Sequence, residues 1–298
     1  MAGAKTARTL ERHVPAAVAA RLNKHYDLID PDAFLDAYYP SGIGSTGQAL
    51  PTIVWVHGGG FISGGKEQIA NYLKILAARG FVTVGVNYSL APGKTYPTPI
   101  RQVNTALAYL GMNATRLHID PSRFFLAGDS AGAQIAAQLA IVISTPPYAQ
   151  GMRIVASIKR PQLRGVILYC GVYDARTLNS KGMFGRLLRT VTWSYFGTRD
   201  LREDPRADQF SVVHHVTAEF PPMFISVGNA DPLAAHSHLL AKTAAGMSVA
   251  VDSLFFPDDY APPIRHEYPF NLDIAAGRTA LERSVKFLAG QSLLTEGP

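Results

Sequence analysis

Short apolar runs alternate with amphipathic stretches along most of the chain. Thr52–Val56, Phe81–Asn87, Phe124–Ala127, Leu163–Cys170 and Met223–Val227 are rich in β-branched and aromatic residues and are bounded by Gly, Pro, Asn or Asp, so they read as buried strands. Ala33–Tyr39 and Ser248–Phe256 extend the series at its two ends. Between the strands, Gln68–Arg79, Pro99–Asn113, Ala131–Ile143, Leu233–Ala245 and Ala275–Leu288 carry apolar residues at helical spacing. Strand and helix in turn predict an α/β fold, with a mostly parallel central sheet flanked by helices. Two segments break the alternation: Ala7–His25 and Ala175–Val216. In the second, Met183, Phe184, Leu187, Leu188, Val191 and Tyr195 form a stripe, with Arg186 and Arg189 off it. Both segments are expected to form cap elements, about 1–30 and 175–216, on a single domain spanning 1–298. A stripe of this kind also reads as ordinary core packing, and the two readings are compatible because a cap's inner face is a pocket wall.

One strand-to-helix junction carries chemistry. Gly128-Asp129-Ser130-Ala131-Gly132 follows the run Phe124–Ala127 and opens the alanine-rich helix, which is the layout of a nucleophile elbow. A serine at so sharp a turn sits in strained backbone, and a Cβ two residues to either side would collide with strand or helix. Gly128 and Gly132 meet that demand. The turn also sets Ser130 at a helix N-terminus, where free amides and the helix dipole favour negative charge. The Ala131 N–H is therefore a candidate oxyanion donor. Five residues of this pattern also occur in ordinary glycine-rich turns; the flanking strand and helix are what raise the signal.

A second junction makes the first more specific. Pro51–Val56 runs into His57-Gly58-Gly59-Gly60-Phe61, followed by Gly64-Gly65. Successive glycines let backbone amides turn toward an open space, and Gly59 and Gly60 are the candidate donors. A phosphate loop would need a hydroxyl after its lysine, and Gly65-Lys66-Glu67 lacks one. The pairing points to acyl transfer.

These stretches, with Val86-Asn-Tyr-Ser-Leu-Ala-Pro92, Asn229-Ala-Asp-Pro-Leu233 and Arg265-His266-Glu-Tyr268, occur in the order found in the hormone-sensitive-lipase-like branch of the α/β-hydrolase family, which the chain resembles over about residues 30–290. The chain departs from that pattern at Ala133 and Ser89, where members often carry glycine and arginine, and at Glu267, where glycine is common. The resemblance implies an α/β-hydrolase fold and a carboxylesterase.

In this architecture the acid and the histidine follow the nucleophile, each in the loop after a late strand. Asp231 directly follows the strand Met223–Val227, and Pro232 suits the first turn of the next helix. Taken alone, Asp-Pro reads as a helix N-cap. Of the histidines beyond it, His236 and His238 fall on the helix Leu233–Ala245 and are expected at the surface. His266 lies beyond the last strand, 35 residues past Asp231, and is the candidate base. His57 reads as a structural hydrogen-bonding residue of the glycine loop, since no second ligand stands near it at metal spacing. His214 and His215 read as neighbours on an extended strand, pointing to opposite faces and unable to share one ion.

The expected chemistry is attack of Ser130 on an ester carbonyl, with His266 as base and Asp231 orienting it. The oxyanion would be held by Gly59, Gly60 and Ala131, and water would release the acyl-enzyme. Phe61, Phe184, Leu187 and Leu188 are the candidate substrate-binding residues. A narrow apolar cleft under the cap would favour short- to medium-chain acyl groups of roughly two to eight carbons. Alternatives are an amide or formamide hydrolase on the same site, or a catalytically silent small-molecule binding protein, as some relatives of the family are receptors. No metal or organic cofactor is expected.

Composition adds bounds. The 298 residues are 47% hydrophobic, enough for a substantial core. The net charge of +6 is spread along the chain without interleaved aromatics or zinc-finger spacing, so it reads as a solvated basic surface and not as a nucleic-acid site. Lone Cys170 lies in an apolar strand and reads as a buried free thiol. Met1–Leu10 has no continuous apolar core, and no run approaches the roughly 18 to 20 residues that span a bilayer. A cytoplasmic protein without stable membrane insertion is expected, acting on a small-molecule ester; a homodimer is left open.

Overall fold

The computed structural model describes residues 8–178 and 182–293, without the side chains of residues 45, 46, 182 and 183. Residues 1–7 of the expected N-terminal cap and the Met183 side chain therefore lie outside the described residues. Eight strands form one sheet: β1 (Val18–His25), β2 (Phe34–Pro40), β3 (Leu50–Val56), β4 (Val82–Val86), β5 (Ile119–Asp129), β6 (Leu163–Tyr169), β7 (Met223–Val227) and β8 (Val251–Phe255). Their order is β1-β2-β4-β3-β5-β6-β7-β8. β1 and β2 join antiparallel, and β3 through β8 run parallel. The longer helices are α1 (Lys66–Ala77), α2 (Thr98–Met112), α3 (Ala131–Ser144), α4 (Gly182–Phe196), α5 (Ala234–Gly246) and α6 (Ala275–Leu293).

The period of two in the strands divides the core into two layers. Ile53 and Trp55 of β3, Phe125 and Ala127 of β5 and Ile167 and Tyr169 of β6 face a layer that also holds Tyr72 and Leu73 of α1 and Leu281 and Leu288 of α6. The alternate residues Val54, Val56, Leu126, Val166 and Leu168 face Val103 and Leu107 of α2 and Ile135 and Leu139 of α3. Every residue of α3 is buried, so the helix after Ser130 is apolar nearly all round and cannot shift without disturbing the core.

The N-terminal segment differs from expectation. Val18–His25 is an edge strand paired with β2, not a cap element. Its alternation is weak because its middle residues are exposed, and it is held by backbone pairing and by a bulge. At the bulge the Asn23 N–H donates to Asp36, and its side-chain oxygen accepts from buried Lys66, which also pairs with Asp36 at 3.1 Å. What precedes β1 packs beside the end of the chain: Leu10 is buried in the layer of Trp55 and Phe270, and Arg12 and His13 both reach Asp273. The expected stripe is the helix α4. No helix among the described residues is long and apolar enough to cross a membrane.

Candidate active site

Ser130 sits between β5 and α3 with φ at 51°, in the left-handed region. The elbow closes on itself: a Cβ at Gly128 would stand 2.5 Å from the Gly132 carbonyl carbon, and one at Gly132 would stand 2.0 Å from the Val56 carbonyl oxygen. The Ser130 N–H donates to Tyr169 O at 2.8 Å, which ties the turn to β6. Glycine at both positions is thus required by backbone pressing on backbone.

Asp231 follows β7 and His266 lies in the loop after β8. His266 Nδ1 is 2.7 Å from Asp231 Oδ2, and Nε2 is 3.1 Å from Ser130 Oγ. The other oxygen of Asp231 accepts the Leu233 N–H at 2.8 Å, which steadies the turn before α5; the N-cap of that helix is Leu233 and not Asp231. Burial lowers the proton affinity of His266, while Cys170 and Asp231 raise it, leaving the ring well above the ordinary histidine value. Burial also pushes the Cys170 thiol up, so it stays neutral, and we assign the upward push on His266 to the Asp231 carboxylate.

The three candidate oxyanion amides belong to the glycine loop, Gly59 and Gly60, and to the elbow, Ala131. Gly59 and Gly60 have φ of 109° and 62°, a turn that the Ile62 and Ser63 amides close by donating to Gly59 O. No backbone hydrogen bond outside the helices engages the Gly59, Gly60 or Ala131 amide among the described residues. His57 is buried, with Nδ1 2.7 Å from Gly58 O, and stacks on Tyr88 at 4.3 Å; burial lowers it to about 4, so it is a neutral ring. The Gly58 N–H and the Trp55 indole N–H donate to the two oxygens of Asp129 at 2.9 and 2.8 Å. Burial, aided by the charge of Glu267, pushes Asp129 up to about 7.

The candidate substrate residues separate. Phe61 is buried, stacked on Tyr195 at 4.2 Å and edge-on to Phe210. Phe184 packs on the core edge. Leu187, expected on the pocket side, is 52% exposed, because the stripe is broad and its rim turns to solvent. Leu188 lines a small gap beside Thr192 and Leu201. Two α4 residues meet the glycine loop: Tyr195, stacked on Phe61, and Val191, whose Cγ2 would be 3.1 Å from a Cβ on Gly60. Val191 was on the stripe, yet helical periodicity gives a face and not the loop it meets.

Three histidine expectations change. His236 is buried, with Nδ1 3.2 Å from Thr177 Oγ1, and burial lowers it to about 4. The helix α5 turns it inward against Thr177 and Tyr173; His238 is exposed as expected and stacks on Phe255. His214 and His215 are on a tight helical turn and not a strand, and both rings reach Asp208: His214 to its carboxylate at 2.8 Å, His215 to its carbonyl at 2.9 Å.

Two groups near His266 were not expected at the site. Cys170 has φ at 42°, and its Sγ lies within 4.8 Å of a His266 ring nitrogen. Ligand atoms of Cys170, Asp231 and His266 lie within 4.8 Å of one another, but the last two are hydrogen-bonded to each other in the chain that reaches Ser130. Glu267 has φ at 58°, and its Oε1 lies 4.0 Å from His266 Nε2. A cavity of about 550 Å³ opens on this side, lined by His266, Glu267, Tyr260 and Thr9 among others; Ser130 itself is not part of its wall.

Residues 53–260 match the model of a family with the alpha/beta hydrolase fold. The chain belongs to that family. The resemblance read from the motifs is thereby borne out, and the α/β-hydrolase sheet is the one described above. Similar solved structures include esterase B from Lactobacillus rhamnosis, with TM-score 0.80 and 22% identity over 97% of this chain and 93% of that one. A hyperthermophilic esterase from the archaeon Pyrobaculum calidifontis has TM-score 0.78 and 20% identity over 98% and 91%. A bacterial heroin esterase has TM-score 0.76 and 22% identity over 97% and 89%.

Proposed function

We propose that this α/β-hydrolase is a serine carboxylesterase acting on short- to medium-chain acyl esters. The observation that carries the reading is the unbroken chain from Asp231 through His266 to Ser130 Oγ, at 2.7 and 3.1 Å, ending on a serine held in strained backbone. In that reading Ser130 attacks the ester carbonyl while His266 Nε2 takes its proton. Asp231 fixes the tautomer with Nδ1 protonated and steadies the imidazolium. The amides of Gly59, Gly60 and Ala131 receive the negative charge that develops on the carbonyl oxygen. Nε2 returns the proton to the departing alcohol, and a water activated by the same nitrogen releases the acid. Phe61, fixed against Tyr195, would bound the acyl side. That similar structures are esterases supports the reaction class.

Ser130→Ala should lower turnover of p-nitrophenyl butyrate by roughly 10⁴-fold or more, with the melting temperature little changed. A fluorophosphonate probe should label Ser130 in the parent and nothing in the variant. Full activity in Ser130→Ala would overturn the proposal. The base must be neutral, and Asp231 raises His266, so kcat/KM should rise with pH through a midpoint above the ordinary histidine value of about 6.5. A kcat/KM that does not fall as the pH drops from 8 to 5 would remove His266 as the base.

A further inference from the structure

We infer that Glu267 selects esters whose alcohol portion carries a cation, such as a substituted ammonium two carbons from the ester oxygen. This rests on the reading of Ser130 and His266 given above and adds the substrate class.

The backbone at Glu267 is the first ground. With φ at 58° it occupies the left-handed region, which is strained for a residue with a side chain. The fold would be served at least as well by a glycine there. A strained residue beside reacting groups is where a functional role for the side chain is to be sought.

The placement of the carboxylate is the second. Oε1 lies 4.0 Å from His266 Nε2, the nitrogen that faces Ser130 Oγ. It also lies 3.2 Å from where a Cβ on Gly58 would be, beside Asp129. The side chain therefore sits at the junction of the glycine loop, the elbow and the histidine, and is only partly exposed. Among the described residues it has no lysine or arginine within ion-pair distance; its one ionic neighbour is His266 itself. Arg265, which shares the cavity wall, is exposed. Asp129, the other acid at this junction, is already held by the Trp55 and Gly58 donors.

The chemistry then fixes which part of the substrate meets Glu267. During acylation the bond from Ser130 Oγ to the carbonyl carbon forms and the bond from that carbon to the alcohol oxygen breaks. The proton taken from Ser130 passes from Nε2 to that oxygen. The departing oxygen must come within hydrogen-bond reach of Nε2, roughly 3 Å, which leaves it no more than roughly 7 Å from Oε1. A cation two carbons on can reach the carboxylate, and the cavity beside His266 and Glu267 has the volume to accept it. An acyl-chain cation would lie on the far side of the carbonyl, so the selectivity belongs to the alcohol.

The test compares 2-(trimethylammonio)ethyl butyrate with its uncharged isostere, 3,3-dimethylbutyl butyrate, in the full chain and in Glu267→Gln. In the parent, kcat/KM should favour the cationic ester, and that ratio should fall about tenfold in Glu267→Gln. Added salt should also compress the parent's ratio by screening the charge. A parent that does not favour the cation, or a ratio unchanged in Glu267→Gln, would overturn the inference; in the latter case the carboxylate would merely steady the imidazolium for all esters alike. A second readout is independent of turnover: choline should slow fluorophosphonate labelling of Ser130 more than 3,3-dimethylbutanol does, and the difference should vanish in Glu267→Gln. Should neither ester be hydrolysed while this protection survives, the esterase reading fails and the cation site stands.

Discussion

Behind Ser130 the site is backbone against backbone, with Gly132 pressed on the Val56 carbonyl and Gly128 on the Gly132 carbonyl. On the opposite side α4 meets the same glycine loop through side chains: Val191 over Gly60, and the Tyr195 ring flat on Phe61. The first wall leaves no space for an added atom and cannot relax except by moving β3 or α3, both sealed in the core. The second can change shape as rotamers change. The nucleophile's geometry is thus insulated from the surface that would choose the acyl group, so mutations on the two sides should fail differently.

The largest expected effect breaks the first wall. Gly132→Ala would place a methyl group 2.0 Å from the Val56 oxygen, which forces the strand and helix apart. Several kcal/mol of stability should be lost, read as a fall of roughly 10 °C in melting temperature, and hydrolysis should be lost with it. A variant that melts normally and keeps its activity would show that the elbow is not rigid.

Buried histidines give the next effect, and they lie on both sides. His57 of the glycine loop and His236 beside Thr177 are both lowered to about 4, in each case chiefly by burial. In the unfolded chain each returns to about 6.5, so between those values the unfolded state binds more protons. Stability is then complete above about pH 6.5 and is lost as pH falls toward 4, by on the order of 3 kcal/mol per histidine. Urea midpoints at pH 7 and pH 4.5 test this, and His236→Gln should remove about half of the difference. Equal midpoints at the two pH values would mean that neither ring is held neutral.

A double substitution probes the contact between the walls. Gly60→Ala carries both a left-handed φ and the 3.1 Å approach to Val191 Cγ2, and should cost on the order of 1–2 kcal/mol. Val191→Ala removes the steric part but not the backbone part. The pair should therefore cost less than the sum of the singles, and strict additivity in denaturant titrations would mean that the two residues do not touch.

How far the residues themselves disclosed this arrangement follows from the same contrast. The strands and helices around the elbow announce themselves because a buried strand or helix repeats its apolar residues at a fixed period, and the glycines mark where backbone meets backbone. Ser130, Asp231 and His266 could be paired because the chain order of the fold leaves only one histidine beyond the last strand. β1 was illegible because an exposed edge strand is fixed by pairing and by the Asn23 bulge, neither of which writes an apolar pattern. Leu187 was misplaced and Val191 passed over because a stripe gives the buried face of α4 but not its rotation over the loop. His236 looked like a surface residue on a helix until α5 was seen to turn it under Thr177. Cys170 and Glu267 meet His266 through left-handed backbone that no local pattern foretells.

The smallest effect, and the one that sharpens the comparison most, concerns acyl-chain length. If the side-chain wall sets the acyl space, each methylene the cleft accepts gains about 0.8 kcal/mol, close to fourfold in kcat/KM, until the next one has no room. Val191→Ala removes two methyl groups beside Gly60, so the optimum among p-nitrophenyl esters should move one or two carbons longer, with the shortest esters little affected. Leu187→Ala lies on the outer face, 52% exposed in the parent, and should leave the profile where it was. Phe184→Ala and Leu188→Ala should lower stability before they alter selectivity, since Phe184 packs on the core edge and Leu188 beside Leu201. A shift caused by Leu187→Ala but not by Val191→Ala would mean that α4 turns its other face to the substrate. A parent that prefers acyl chains beyond roughly ten carbons would go further, since Gly60, Phe61 and α4 would then not bound the acyl chain at all.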